Sequence, residues 1–527
     1  TVALFSLSAD GEGFSLEEDA DLGSLVVGAA GAVVVGRQPG PTDVPIAATR
    51  LLFPLRAPLE EVDAQLRCSI YCRGTLVQSR LVTARIRRER MRADGPGFAS
   101  VLDFTLAPAL DPQHLSELPE PALTVMLNRS EATHDFTLFG AGGFKSQASF
   151  DVLEVQDLIR SARAGLRRAA WGDEDDWREG VEYLYGRGDE PDRLRRDLVE
   201  LAKRGFRFYA SIADRLAADG DAFALSDRLA RPGSIQIASV ESPRQLLPAA
   251  LLYDYLGFDS TQPAAAYTLC PRFLAALERR EALEETDCFT GECESRGQAT
   301  VVCPSGFWGY RHRLGMPVSV TDAPDSPVAI VYDERGPSVV LAASTDFELL
   351  AAHTEAVTRL CPGLVTATTR ADTLRLMREA GVHLLYFYCH GGVQDRVPFI
   401  KVGGPDERGI TGDLLFSERI RWTAPRPLVF INGCRTTALE PETAIELVSS
   451  LVRRAQASGV IGTEITVFEP LARDFAEAYL ARFLAGATVG EAVRGARLTL
   501  LAHGNPLGLA YIPFALESLR LTAAAPA

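Results

Sequence analysis

The sequence predicts a multidomain protein, in which an all-β, sandwich-like domain and a helical, cysteine-rich region precede a C-terminal α/β domain with a mostly parallel sheet flanked by helices. Three patterns predict this order. Residues 1–150 hold short runs that alternate apolar and polar side chains, with Pro and Gly between them. Residues 151–315 change to helical spacing and then hold closely spaced cysteines. Residues 316–527 alternate continuous apolar runs with helical patterns, which is typical of a parallel sheet covered by helices.

Length and charge restrict the class of protein. With 527 residues, the chain can form about two to four domains. Its formal net charge of −15 argues against direct nucleic-acid binding, because phosphates would be repelled. The longest apolar run, Leu25–Val35, is too short to cross a membrane, so no membrane contact is expected. Scattered cysteines favour a reducing compartment, and the absence of a start methionine and of a signal-peptide pattern suggests a trimmed N-terminus. We therefore expect a cytoplasmic protein.

The first region is expected to be an antiparallel sandwich or barrel. Ala48–Arg56, Ser69–Ser79 and Ala122–Asn128 all alternate along a strand. Cys68 and Cys72 would share one strand face, and we expect core thiols there, because two cysteines so spaced on an extended strand chelate a metal poorly. No catalytic pattern is seen, so a sensing or interaction role is expected by analogy of fold.

The middle region begins with an amphipathic helix over Val155–Ala169, and Leu194–Leu216 predicts one or two more helices. The arginines within Arg160–Arg168 indicate a solvated face, with binding of an acidic partner as the alternative.

Four cysteines follow within a short stretch: Cys270, Cys288, Cys293 and Cys303. Four thiolates, or three with His312, could hold a structural zinc ion that fastens a loop-rich segment. Unligated structural cysteines are an equal alternative, and a disulfide is a weaker one. The aromatic residues Phe307, Trp308 and Tyr310 are expected to pack this segment onto a neighbour.

The α/β domain carries two apolar runs that each end in a reactive side chain. His383–His390 is followed by Gly391 and Gly392, which predicts that the strand ends there, and Pro427–Cys434 is the second run. Sites in open α/β sheets lie beyond the carboxyl ends of strands, so both reactive groups are expected on one rim. An imidazole that accepts the proton of a thiol makes the sulfur an effective nucleophile toward a carbonyl.

These runs carry a resemblance. Tyr386–Gly392, Leu428–Cys434, Ala457–Thr463 and Asn505–Tyr511 resemble the CHAT family of caspase-like cysteine peptidases, relatives of separase. The resemblance covers roughly the last two hundred residues. It implies that His390 is the general base and Cys434 the nucleophile. Family members more often have Ser-Ala-Cys where this chain has Asn432, Gly433 and Cys434.

The resemblance implies a cysteine endopeptidase that cleaves a protein substrate through a thioester, with no cofactor for catalysis. The N–H groups of Gly391 and Cys434 are expected to form the oxyanion hole. We expect gating by the upstream domains, a regulatory protein or a ligand, and the resemblance suggests a role in bacterial defence. The alternative is a catalytically silent caspase-like scaffold or binding protein.

Substrate preference is expected to depend on residues near the thiol. In relatives that cut after basic residues, an acidic side chain lies two positions before the nucleophile, where this chain has the neutral Asn432. An uncharged, small or apolar residue before the cut is therefore favoured. Asp395 and Glu464 are expected on loops beside the cleft, and they keep a basic preference open as the alternative.

Overall fold

The computed structural model describes most of the chain: residues 1–6, 13–16, 20–28, 31–37, 51–88, 97–129, 133–178, 180–186, 191–216, 220–239, 246–320, 324–379, 381–433 and 441–524. These form two compact units. The first holds Thr1–Val152 with the short segments Ala238–Ser242 and Ser319–Ser326. The second takes in the rest, so the predicted middle region and the C-terminal region belong to one unit.

The first unit is built from antiparallel strands. They are β1 (Val2–Ser6), β2 (Ser15–Leu16), β3 (Leu22–Gly28), β4 (Gly31–Arg37), β5 (Leu55–Arg56), β6 (Asp63–Cys72), β7 (Thr75–Arg85), β8 (Phe98–Thr105), β9 (Leu123–Arg129), β10 (Thr133–Gly140) and β11 (Lys145–Asp151), with the helix α1 (Pro112–Glu117). One sheet has the order β4-β3-β1-β6-β7-β8, and β9, β10 and β11 form a meander. Tyr71 of β6 stacks on Phe139 of β10 at 3.9 Å between ring centroids, so the two sheets share a core as expected of a sandwich.

The two faces of β6 differ from the expectation. Cys68 and Cys72 do lie on one face, but that face is only half-buried. The opposite face is the buried one, and it carries Arg67, whose guanidinium donates to Asp103 at 2.8 Å and to Ser79 at 2.7 Å. An alternating pattern misses this, because a buried arginine becomes acceptable only when distant residues supply its acceptors.

The second unit begins with helices. They are α2 (Val152–Trp171), α3 (Pro191–Leu216) and α4 (Asp221–Arg228). The prediction that Arg160–Arg168 forms a solvated face is wrong in part, because Arg163 is buried and its Nε donates to Glu464 at 2.9 Å. A buried charge of this kind requires a paired carboxylate, and the sequence gives no local sign of a partner so far along the chain.

A segment with short elements follows. It holds β12 (Ser234–Ser239), β13 (Thr268–Leu269), α5 (Pro271–Arg279), α6 (Asp287–Thr290), β14 (Val301–Val302), α7 (Trp308–Arg311) and β15 (Arg313–Gly315). Phe307, Trp308 and Tyr310 are buried, and the Tyr310 hydroxyl donates to the carbonyl of Pro506 at 3.1 Å. The expectation that these rings anchor the segment to a neighbouring part of the chain is confirmed.

The remainder alternates strands and helices. The elements are β16 (Ala329–Tyr332), β17 (Val339–Ala343), α8 (Leu350–Leu360), β18 (Val365–Ala367), α9 (Arg370–Arg378), β19 (Leu384–Gln394), β20 (Val397–Lys401), β21 (Ile410–Thr411), α10 (Gly412–Ser417), β22 (Leu428–Gly433), α11 (Pro441–Ser449), β23 (Gly459–Thr463), α12 (Glu469–Phe483), α13 (Val489–Ala502), β24 (Tyr511–Phe514) and β25 (Arg520–Ala523).

The main sheet of this unit has the order β18-β17-β19-β22-β23-β24. Its first five strands are parallel and β24 is an antiparallel edge, which confirms a mostly parallel sheet. Since β17, β19 and β22 are parallel neighbours, their carboxyl ends lie along one rim of the sheet. Within the part of the chain that the structure describes, we find no helix with the length and hydropathy of a membrane span.

Candidate active site

The strand that carries His390 is longer than predicted. It continues through Gly391 and Gly392 to Gln394 and returns as β20, with Gly392 paired to Phe399. A Cβ atom on Gly392 would lie 2.8 Å from Cζ of the Phe399 ring. This glycine therefore makes room for an aromatic ring and does not end the strand, so the predicted stop at Gly391 is wrong.

The imidazole of His390 is paired with the carboxylate of Asp346. Its Nε2 lies 2.9 Å from Oδ2 and 3.0 Å from Oδ1 of Asp346. The ring also packs edge-on against Phe347 at 4.6 Å between centroids, and the backbone N–H of His390 donates to Oγ of Ser344 at 3.3 Å. With Nε2–H donating to the carboxylate, Nδ1 is the nitrogen that carries the ring lone pair.

The loop that presents Asp346 is held from two sides. The carboxylate of Glu469, at the start of α12, accepts hydrogen bonds from the backbone N–H of Leu349 at 2.6 Å and of Glu348 at 3.2 Å. On the other side, the N–H of Thr345 donates to the carbonyl of Gly403 at 3.1 Å. Asp346 is therefore fixed against His390 by contacts of the loop backbone.

Sequence reasoning missed Asp346 and identified no third group beside the histidine. A signal was present. Asp346 follows the carboxyl end of β17, as His390 lies near the end of the parallel part of β19. The pairing of β17 with β19 converts these sequence positions, 44 residues apart, into neighbours.

The neighbouring strand leads to the predicted nucleophile. β22 runs parallel to β19, with Tyr388 opposite Asn432 and Cys389 opposite Gly433. Cys434 is the next residue in the sequence, and it lies outside the described residues. The N–H of Cys434, which is expected to form part of the oxyanion hole, is therefore not described either. The other expected donor, Gly391, is described, and it is buried in β19 opposite Ile400.

The side chain of Asn432 is fully buried below the rim. Its Nδ2 donates to the hydroxyl of Tyr386 at 3.1 Å and to the carbonyl of Ala472 at 2.7 Å, and its Oδ1 accepts from the hydroxyl of Tyr511 at 2.8 Å. These three bonds tie β22 to β19, α12 and β24. The amide therefore serves a buried polar network in which every contact holds a strand in place.

This network extends to a second histidine. The buried His353 has its Nε2 2.8 Å from the hydroxyl of Tyr386 and its Nδ1 3.0 Å from Oε1 of Glu477. The chain of contacts thus runs from Glu477 to Asn432, directly beneath the strand end that precedes Cys434.

The two acidic pocket candidates differ in environment. Glu464 is buried and accepts from Arg163, so its charge is matched inside the protein. Asp395 is exposed in the turn between β19 and β20, where it and Arg396 have φ angles of 52° and 67°. Asp395 is therefore the solvent-accessible acid of the two.

Comparison with known proteins places these features in a family. A CHAT domain matches residues 311–508. A probable protease of Vitiosangium sp. (strain GDMCC 1.1324) is 40% identical over 552 residues, which cover 99% of this chain and 70% of that protein. The chain belongs to the CHAT family. The family match includes His390, Asp346 and the strand that leads to Cys434.

Among solved structures, this CHAT protein is similar to the separase–securin complex of Saccharomyces cerevisiae, with a TM-score of 0.38 and 11% identity over 77% of this chain and 31% of that one. The chain thus spans less than a third of that separase-complex chain. It is also similar to the Arg-specific cysteine proteinase gingipain R (RgpB), with a TM-score of 0.32 and 7% identity over 70% of this chain and 75% of that one.

Among the other cysteines that the structure describes, Cys389 precedes His390 in β19 and is fully buried. Burial raises the pKa of the Cys389 thiol to about 12, so this neighbour of His390 stays protonated.

No disulfide joins any of the eight cysteines that the structure describes. Cys270, Cys288, Cys293 and Cys303 are brought together with their sulfur atoms within 4.8 Å of one another. His312 is not part of that group, because its ring contacts the backbone N–H of Gly233 and the side chain of Arg311.

Proposed function

We propose that this CHAT protein is a cysteine endopeptidase in which Cys434 is the nucleophile and His390 the general base. The observation that carries the proposal is the His390–Asp346 pair, which lies where the parallel part of β19 ends, on the strand beside the one that continues into Cys434. Membership of the CHAT family and the relative named as a probable protease support it.

The first half of the reaction forms a thioester. The Nδ1 lone pair of His390 accepts the proton of the Cys434 thiol, and the sulfur attacks the carbonyl carbon of the scissile peptide. The carbonyl oxygen becomes an oxyanion, which the N–H groups of Gly391 and Cys434 are proposed to stabilise. When the C–N bond breaks, the imidazolium returns its proton to the leaving amine, and the acyl group remains on the sulfur.

The second half releases the acyl group. A water molecule loses a proton to His390 and its oxygen attacks the thioester carbonyl. The C–S bond then breaks, and the imidazolium proton passes to the departing sulfur, which restores the resting thiol.

Asp346 acts in both halves through His390. Its carboxylate accepts a hydrogen bond from Nε2–H, which holds the ring with Nδ1 directed toward the proton it moves, and its negative charge stabilises the imidazolium of each intermediate. We assign Asp346 as a positioning residue because its contact is with the imidazole.

We propose that the residue before the cut is uncharged and small or apolar. The charge of Glu464 is matched by Arg163, and Asn432 is neutral, with its amide committed to internal hydrogen bonds. Neither residue therefore offers a negative charge that would attract a basic substrate side chain. Asp395 is exposed in its hairpin turn and supports the basic alternative. Cleavage-site profiles of Asp395→Asn and the unaltered chain separate the two preferences.

Two further proposals concern the control and the biological role of the peptidase. A protease that is always active endangers the cell that makes it, so we propose that the upstream domains, a regulatory protein or a ligand gates the site. We also propose a role in bacterial defence, which follows from the resemblance to CHAT proteins alone.

The test is digestion of a proteome-derived peptide library by the purified chain, with cleavage sites identified by mass spectrometry. Cleavage is expected from the intact protein and from Cys361→Ala, a control that removes a buried cysteine at the end of α8. It is expected to be lost in Cys434→Ala and in His390→Ala.

Cleavage that persists at full rate in Cys434→Ala contradicts the proposal. If the intact protein leaves the library untouched, the chain is either a gated enzyme or a catalytically silent scaffold, and a peptide-based thiol-reactive probe distinguishes the two. Rapid labelling of Cys434 supports a gated enzyme, and a thiol that reacts no faster than free cysteine supports the catalytically silent scaffold.

A further inference from the structure

Four cysteines that take no part in the proposed reaction converge at one buried point of the second unit. Two of them arrive through a strand pair. β13 and β14 are parallel, with Leu269 opposite Val302, and Cys270 and Cys303 are the residues that follow each strand. The N–H of Cys270 also donates to the carbonyl of Val302 at 2.9 Å. The register of this short ladder thus brings two thiols side by side.

The other two arrive through a turn. Cys288 lies in α6, and the chain then reverses at Gly291, which has a φ angle of 102°. A Cβ atom on Gly291 would lie 3.1 Å from the carbonyl oxygen of Ala230, so a glycine is needed there for both its backbone angle and its size. The reversal returns Cys293 to the side of Cys288 and completes the group.

The sulfur geometry fits a single small ion. The Sγ atom of Cys270 lies 3.7 Å from that of Cys288 and 3.9 Å from that of Cys293, and all four sulfur atoms lie within 4.8 Å of one another. Zinc bound tetrahedrally by four thiolates at about 2.3 Å requires sulfur atoms about 3.8 Å apart. A disulfide requires a separation of about 2 Å, so it does not fit these distances.

We propose that Cys270, Cys288, Cys293 and Cys303 together bind one structural zinc ion. The four side chains are between 0% and 8% exposed, so the site is closed and has no position open to a substrate or a reactive water. Packing of four protonated thiols is the simpler alternative. It does not account for four sulfur atoms that arrive from separate backbone segments and meet at the spacing of a tetrahedral ion.

The proposed ion fastens a segment on which the caspase-like sheet rests. Arg494 of α13 donates to the carbonyls of Tyr310 at 2.8 Å and Phe289 at 3.2 Å, and Phe289 is adjacent to Cys288. Arg497 donates to the carbonyls of Gly309 at 3.1 Å and Tyr511 at 2.6 Å. Both arginines thus join the cysteine-rich segment to α13, and Arg497 also joins it to β24, whose Tyr511 donates to Asn432.

The experiment uses the full chain as Cys434→Ala, so that the result does not depend on the proposed peptidase activity. Metal content is measured by inductively coupled plasma mass spectrometry after purification without chelator, and the coordination is measured by X-ray absorption at the zinc edge. We expect one zinc per chain with four sulfur neighbours at about 2.3 Å. Cys288→Ser and Cys293→Ser are expected to lose zinc, while the control Cys361→Ser keeps it.

The X-ray absorption measurement on the parent protein stands even if the serine variants fail to fold. A folded protein without stoichiometric zinc, whose four thiols all react with an alkylating reagent after unfolding, overturns the proposal. Iron in place of zinc, or nitrogen and oxygen neighbours in place of sulfur, overturns the assignment as well.

Discussion

The rim around His390 and the group of four cysteines lie in opposite environments. At the rim, the side chain of His390 is 19% exposed and that of Asp346 is 44% exposed, so solvent and a substrate can reach them. The four cysteines are at most 8% exposed and face one another. Accessibility and the identity of the partner separate the two proposed roles: an accessible imidazole paired with a carboxylate can move protons, whereas four buried thiols at this spacing can hold an ion.

The largest expected effect is the loss of peptidase activity when residues at the rim are replaced. Cys434→Ala and His390→Ala are each expected to lower kcat/KM on a cleaved peptide by about 10⁴-fold, because the thiol loses its proton acceptor or is itself removed. Thermal unfolding followed by circular dichroism should change little. A loss of folded structure that parallels the loss of activity would break the comparison, since the rim would then be structural.

The next effect belongs to the cysteine group and has the opposite signature. A metal ion that binds only the folded chain stabilises it by about 4 kcal/mol when its free concentration is a thousand times the dissociation constant. Treatment with a chelator, or Cys288→Ser, is therefore expected to lower the unfolding temperature. Cys361→Ser is the matched control and should respond to chelator as the unaltered chain does. Equal unfolding temperatures with and without chelator would contradict a structural ion.

A smaller effect sharpens the description of the rim. Asp346→Asn keeps the shape of the side chain but removes the charge that stabilises the imidazolium, so kcat/KM is expected to fall by about 100-fold with a changed pH profile. Asp413→Asn, which alters a carboxylate 89% exposed on α10, is the control and should keep full activity. An unchanged pH profile in Asp346→Asn would show that the carboxylate does not act through His390.

The smallest effect concerns the thiol beside His390. Burial raises the pKa of Cys389 to about 12, so its thiol stays protonated near neutral pH. Cys389→Ala is expected to keep its activity and to lose about 1 kcal/mol of stability to a small cavity. Activity is checked on the cleaved peptide and stability by urea unfolding; a large loss of activity with normal stability would make Cys389 part of the reaction.

The local sequence pattern was sufficient to predict the strands of the α/β region, but it did not predict which distant residues contact one another. The apolar runs before His390 and Cys434 were recognisable because fully buried parallel strands need continuous apolar side chains. Asp346 was missed because its contact with His390 exists only through the order of β17 and β19 in the sheet. The Arg163–Glu464 pair was missed for a related reason, since the two residues are 301 positions apart.

The cysteine group lies between these cases. Its residue types are visible in the sequence, and they suggested three alternatives there. The distances between the sulfur atoms depend on the pairing of residues 268–269 with 301–302 and on the turn at Gly291, which no local pattern announces. Gly392 is the opposite case. The two glycines suggested that the strand ends there, but the strand continues, and the glycine at 392 is explained by the ring of Phe399, which occupies the space that a side chain would need.

The most direct test of the central claim measures the reactivity of the thiols, since it requires neither a known substrate nor an activated state. The intact chain and His390→Ala are treated with iodoacetamide at neutral pH, and alkylation of each of the nine cysteines is followed over time by peptide mass spectrometry. We expect Cys434 to react fastest in the intact chain and to slow markedly in His390→Ala, while the half-buried Cys68 and Cys72 are unchanged. Equal rates at Cys434 in both proteins would contradict its activation by His390.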